Sequence, residues 1–111
     1  MTAAPPTDEV VELLRALVAF DTTSHRSNLA LIDWAGDRLA AAGARLRRTY
    51  DDGGGKANLL ASFGPETAGG VVLSAHTDVV PVDGQDWTTE PFALTERPAT
   101  GPARRRRGTS W

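Results

Sequence analysis

The stretch Gly69-Gly70-Val71-Val72-Leu73-Ser74-Ala75-His76-Thr77-Asp78-Val79-Val80-Pro81 decides how the chain is read. Its first half is an uncharged apolar run opened by two glycines, the pattern of a strand buried on both faces. Its second half sets an imidazole and a carboxylate two residues apart, where the apolar run stops. In extended chain, positions i and i+2 face the same side. His76 and Asp78 are therefore expected to project together from a strand end, where ligands sit in parallel sheets. A metal-bound imidazole needs its second ring nitrogen held by a carboxylate or a carbonyl, and Asp78 is spaced for that role. The same spacing also suits a surface histidine followed by a turn, so the motif alone leaves both readings open.

Outward from this stretch, local signals are clear. Thr7 is a cap candidate ahead of Asp8 and Glu9, which place anions in a first helical turn. Val10, Leu13, Leu14, Leu17 and Val18 recur at helical spacing and predict a helix over 8–20. Residues 21–28 are a polar loop ending in Ser27 or Asn28 as a second cap. His25 lies in that loop with no acidic or histidine neighbour at ligand spacing and reads as a solvated residue. Leu31, Ile32, Ala35 and Leu39 predict a second helix over 28–42, with Gly43 as its C′ residue. Residues 45–50 read as a short edge strand, 51–55 as a turn, and 56–63 as a strand. Those glycines lack the following Lys-Ser/Thr of a phosphate loop, so nucleotide binding is rejected. Pro81 and Asp83-Gly84 mark a loop, anchored by Trp87 and Phe92, and 93–97 begins another strand. The expected fold class is α/β: two N-terminal helices packed on a mixed sheet.

Composition narrows the function. The 111 residues suffice for one small domain. With 12 basic and 14 acidic side chains, the net charge of -2 gives no global reason to bind nucleic acid. No cysteine is present, so a zinc ion would have to be held by His and carboxylates. No stretch reaches membrane-spanning length and the start lacks a basic region before an apolar one, so a soluble, cytoplasmic protein is expected. Residues 98–111 are rich in Pro, Gly and Arg, including Arg104 to Arg107, and are expected to be a disordered tail following a folded part at 1–97.

Phe20-Asp21-Thr22-Thr23-Ser24, Ser27 to Trp34, Lys56-Ala57-Asn58-Leu59 and above all Leu73 to Trp87 resemble the N-terminal part of the bacterial acetylornithine deacetylases. That family belongs to the two-metal amidohydrolase and aminopeptidase superfamily. The resemblance runs over about residues 8–97. It implies an incomplete zinc-aminopeptidase-like domain, with His76 a metal ligand and Asp78 the catalytic carboxylate that hydrogen-bonds it. The implied reaction, in arginine biosynthesis, is hydrolysis of N2-acetyl-L-ornithine to L-ornithine and acetate with two zinc or cobalt ions. The implied partner is the N-acyl amino acid substrate; the family forms homodimers through a domain with no counterpart here. After Glu96-Arg97 the family continues through Gly-Arg-Gly to Asp-Met-Lys-Gly, whose Asp bridges the metals. Here the Pro/Arg-rich run stands instead, which suggests a shifted reading frame. The chain by itself is therefore expected to be inactive. The alternative is a non-catalytic interaction protein or pseudogene product with a basic tail.

Overall fold

A computed structural model describes residues 4–98. The expectations placed on residues 99–111, the basic run among them, lie outside the described residues. The described residues divide into two compact units, one of residues 4–21 together with 81–98, the other of Thr22–Val80.

In the first unit, helix α1 spans Asp8–Ala19. Thr7 caps it as the sequence predicts: its hydroxyl oxygen accepts from the Val10 N–H at 3.3 Å. The helix ends where Phe20 turns extended. Leu13, Leu14, Leu17 and Val18 are half-buried along one stripe. Arg15 ties the later segment to the helix. It donates to the Leu94 carbonyl at 3.4 Å and pairs with Glu96 at 3.6 Å. Trp87 and Phe92 are half-buried, as anchors of an irregular loop should be. The strand expected over 93–97 does not form. Ala93 closes a turn by donating to the Glu90 carbonyl, and Arg97 reaches back to the Thr88 hydroxyl, so the chain folds locally instead of extending.

In the second unit, helix α2 spans Leu29–Ala41, and strands β1 (Arg45–Tyr50) and β2 (Ala57–Ser62) form an antiparallel pair. The helix stops in a Schellman motif. Gly43 sits at φ 99° and donates to the Ala40 carbonyl at 2.9 Å, while Ala44 donates to Leu39 at 2.9 Å. A reversal at 51–56 joins the strands. The Asp51 N–H donates to the Lys56 carbonyl, and the Asp51 carboxylate accepts from the Lys56 N–H. Helix α2 packs on both strands. Leu31 and Ile32 are buried with Ala57 and form the small core. Gly36 permits the close approach: a Cβ there would lie 2.6 Å from the Arg48 guanidinium and 3.4 Å from Leu46.

Three expectations need correction. The sheet is a two-stranded antiparallel pair, not a mixed sheet. Within this unit the helix on the sheet is α2, whereas α1 belongs to the other unit. The run expected to be a buried strand forms none: Val71, Val72 and Leu73 are 89%, 83% and 93% exposed. An apolar run becomes a buried strand only when neighbouring strands take its N–H and C=O groups. Among the described residues none does. Gly69 and Gly70, at φ 93° and 134°, turn the chain away from strand geometry just before it.

Candidate functional site

The residues that carry the motif lie in irregular chain, not at a strand end, yet they meet. The His76 Nδ1 lies 2.9 Å from the backbone carbonyl oxygen of Asp78 and 3.2 Å from its carboxylate oxygen Oδ1. A carbonyl oxygen only accepts, so Nδ1 carries the hydrogen and donates. In the neutral ring the lone pair then sits on Nε2, which has no hydrogen-bond partner among the described residues. This is the tautomer that a metal-binding imidazole requires when it binds through Nε2. Both side chains are open to solvent, 71% and 68% exposed. Their ion pair would therefore add little stability by itself.

What fixes this segment is buried. Thr22 and Thr23 are 6% and 4% exposed. Thr23 and Val79 form a parallel bridge. Around it the Val79 N–H donates to the Thr22 carbonyl at 3.1 Å, the Ser24 N–H donates to the Val79 carbonyl at 2.9 Å, and the Thr22 hydroxyl donates to the Thr77 carbonyl at 2.5 Å. Read as a polar loop, residues 21–28 show none of this. The signal available in the sequence is the Asp-Thr-Thr-Ser run itself, two adjacent β-branched hydroxyl residues, which suit extended backbone.

An open cleft of about 770 Å³ adjoins the motif. Ser24, Asn28, Tyr50, Lys56, Asn58 and His76 contribute to its lining. Lys56 donates its ammonium to the Ser24 carbonyl. Asn28 does not cap α2 with its side chain. Its amide instead clamps the backbone of Ala57, donating through Nδ2 to the carbonyl and accepting at Oδ1 from the N–H, both at 2.9 Å. Ser27 takes the local role at the helix start, accepting from the Leu29 N–H at 3.2 Å. His25 is exposed in its loop, in line with its reading as a solvated residue.

A catalytic zinc takes about three protein ligands. Among the described residues no three His, Asp or Glu side chains come together as a metal site. One imidazole and the carboxylate that orients it do not fit a complete two-metal centre. Among the described residues no helix is long and apolar enough to cross a membrane.

No family model matches the chain. Curated relatives do. It is 45% identical over 89 residues to an acetylornithine deacetylase of Myxococcus xanthus, a match covering 76% of this chain and 23% of that enzyme. It is 41% identical over 97 residues to that of Yersinia pestis, covering 78% and 25%. It is 39% identical over 94 residues to that of Proteus mirabilis, covering 78% and 24%. The chain thus spans about a quarter of the length of the curated relatives it matches. No solved structure matches it.

Proposed function

We propose that this chain, which matches acetylornithine deacetylases over 76–78% of its own length, is a member of that family and carries the His76–Asp78 element of a metal-dependent amidohydrolase. The family's relatives are hydrolases by name, and the substrate reading is N2-acetyl-L-ornithine, cleaved to L-ornithine and acetate. In this reading His76 offers Nε2 to a zinc or cobalt ion, and Asp78 holds the ring. The observation that supports it is the double acceptor at Nδ1, carbonyl at 2.9 Å and carboxylate at 3.2 Å. A surface histidine ahead of a turn has no need of both. The remaining ligands would have to come from outside the described residues. By this proposal the chain alone does not hydrolyse the substrate.

Two assays test the two halves of this proposal. The purified chain, loaded with zinc or cobalt, is expected to release no ornithine from N2-acetyl-L-ornithine. Turnover that disappears in His76→Ala would overturn that half. Exchange of this chain's residues 8–97 for the homologous segment of the Myxococcus xanthus enzyme is expected to preserve activity in the chimaera and to lose it with His76→Ala. An active chimaera that tolerates His76→Ala would refute the ligand assignment.

A further inference from the structure

The motif's imidazole is held partly by a backbone carbonyl, and the direction of that carbonyl has an identifiable cause. The Asp78 C=O and the Val79 N–H belong to one peptide unit. In a trans peptide they point in opposite directions. The Val79 N–H is fixed on the Thr22 carbonyl at 3.1 Å. The Asp78 oxygen therefore points away from Thr22, and on that side it meets His76 Nδ1 at 2.9 Å. The preceding peptide is fixed as well, because its Thr77 carbonyl accepts from the Thr22 hydroxyl at 2.5 Å. One residue, 6% exposed, thus restrains both peptides that flank Asp78, one through its side chain and the other through its main chain.

We propose that Thr22 is a positioning residue for the deacetylase motif, setting the tautomer of His76 by holding the two peptides on either side of Asp78. The inference rests on the ligand reading of His76 and adds a residue that touches neither the imidazole nor, in that reading, a metal. The hydroxyl is the part that can be removed. Thr22→Val keeps the shape and the main-chain carbonyl that holds the Val79 N–H, and with it the Asp78 carbonyl, but deletes the donor to Thr77; the 77–78 peptide is then free to rotate, and His76 on its far side drifts from that carbonyl. Thr22→Ser keeps the donor.

The test is the nitrogen spectrum of the His76 ring in the full chain, recorded with the ring neutral. The wild type is expected to show a protonated Nδ1 and an unprotonated Nε2. Thr22→Val is expected to lose that signature, shifting toward the Nε2–H form that unconstrained histidine prefers, and Thr22→Ser is expected to restore it. A folded Thr22→Val chain that keeps the wild-type signature overturns the proposal while leaving the ligand reading intact. So does a Thr22→Ser chain that loses it. A wild-type ring already in the Nε2–H form overturns both. Should Thr22→Val fail to fold, the wild type decides through the scalar coupling across the hydrogen bond from the Val79 nitrogen to the Thr22 carbonyl carbon. Its presence supports the proposal and its absence refutes it.

Discussion

Asn28→Ala removes the side chain that closes the start of strand β2. The Lys56 carbonyl accepts from Asp51, on the side of β1. Successive residues of a strand present their N–H and C=O groups to opposite sides, so those of Ala57 point away from β1. There the Asn28 amide meets both at 2.9 Å, standing in for one residue of a missing neighbour strand. Ala57 is 4% exposed, so water cannot readily replace the lost partners. Two neutral hydrogen bonds contribute about 1 kcal/mol each, and a buried donor or acceptor left without a partner costs about 1–3 kcal/mol. With partial relaxation of the strand end, the substitution should destabilise the Thr22–Val80 unit by about 2–4 kcal/mol, a large share of a small domain's total. Urea unfolding followed by the amide signals of β1 and β2 measures this. At a slope of about 1–2 kcal/mol per molar urea, the midpoint should fall by about 1–4 M. The Ala57 amide should lose its exchange protection in the same variant. Asn28→Asp keeps the acceptor for the Ala57 N–H but turns an oxygen on the carbonyl, and should recover little. An unfolding free energy unchanged within about 0.5 kcal/mol, or an Ala57 amide as protected as before, would refute the edge-closing role.

Gly43→Ala should cost about 1–2 kcal/mol and fray the end of α2, since φ is 99° and the added methyl meets nothing within 4 Å. Thermal unfolding by circular dichroism checks it, and a neutral result would mean that the helix ends otherwise. Val72→Lys should reduce concentration-dependent self-association in sedimentation velocity, because Val72 is 83% exposed within an uncharged apolar run whose backbone groups find no partner among the described residues. Equal association of both chains would show that this run does not mediate it.

What the sequence made legible was local. Thr7 and Gly43 act through hydrogen bonds to residues three or four positions away, so their roles are written in the flanking residues themselves. The turn at 51–55 is of the same kind. Where the reading missed, the deciding partner is distant in the chain. Asn28 stands at the N-cap position the sequence marks, with the Ser27 hydroxyl beside it on the Leu29 N–H, but what the sequence does not show is that the Asn28 amide is spent on Ala57, 29 residues on. Thr22 looks like loop polarity, but its hydroxyl serves Thr77, 55 residues on. The run Val71 to Leu73 has the composition of a buried strand, yet burial is a property of a strand and its neighbours together.

The candidate site shows why such a motif can survive a wrong forecast of its scaffold. Strand geometry would bring His76 and Asp78 to one side, but the segment is not a strand. The pair meets anyway because its geometry is set closer to hand, by peptides 77–78 and 78–79 and by the two threonines beneath them. A parallel bridge of a single residue pair, with three hydrogen bonds around it, gives residues 77–79 the restraint that a full strand would have given them. It leaves Val71 to Leu73 unrestrained because nothing pairs with them among the described residues. The orienting half of the site is therefore separable from the sheet. The two threonines belong to the Asp-Thr-Thr-Ser run that shares its family resemblance with the His-Thr-Asp motif. The physical link between these distant stretches is the hydrogen bonding that holds Asp78 in place for the imidazole.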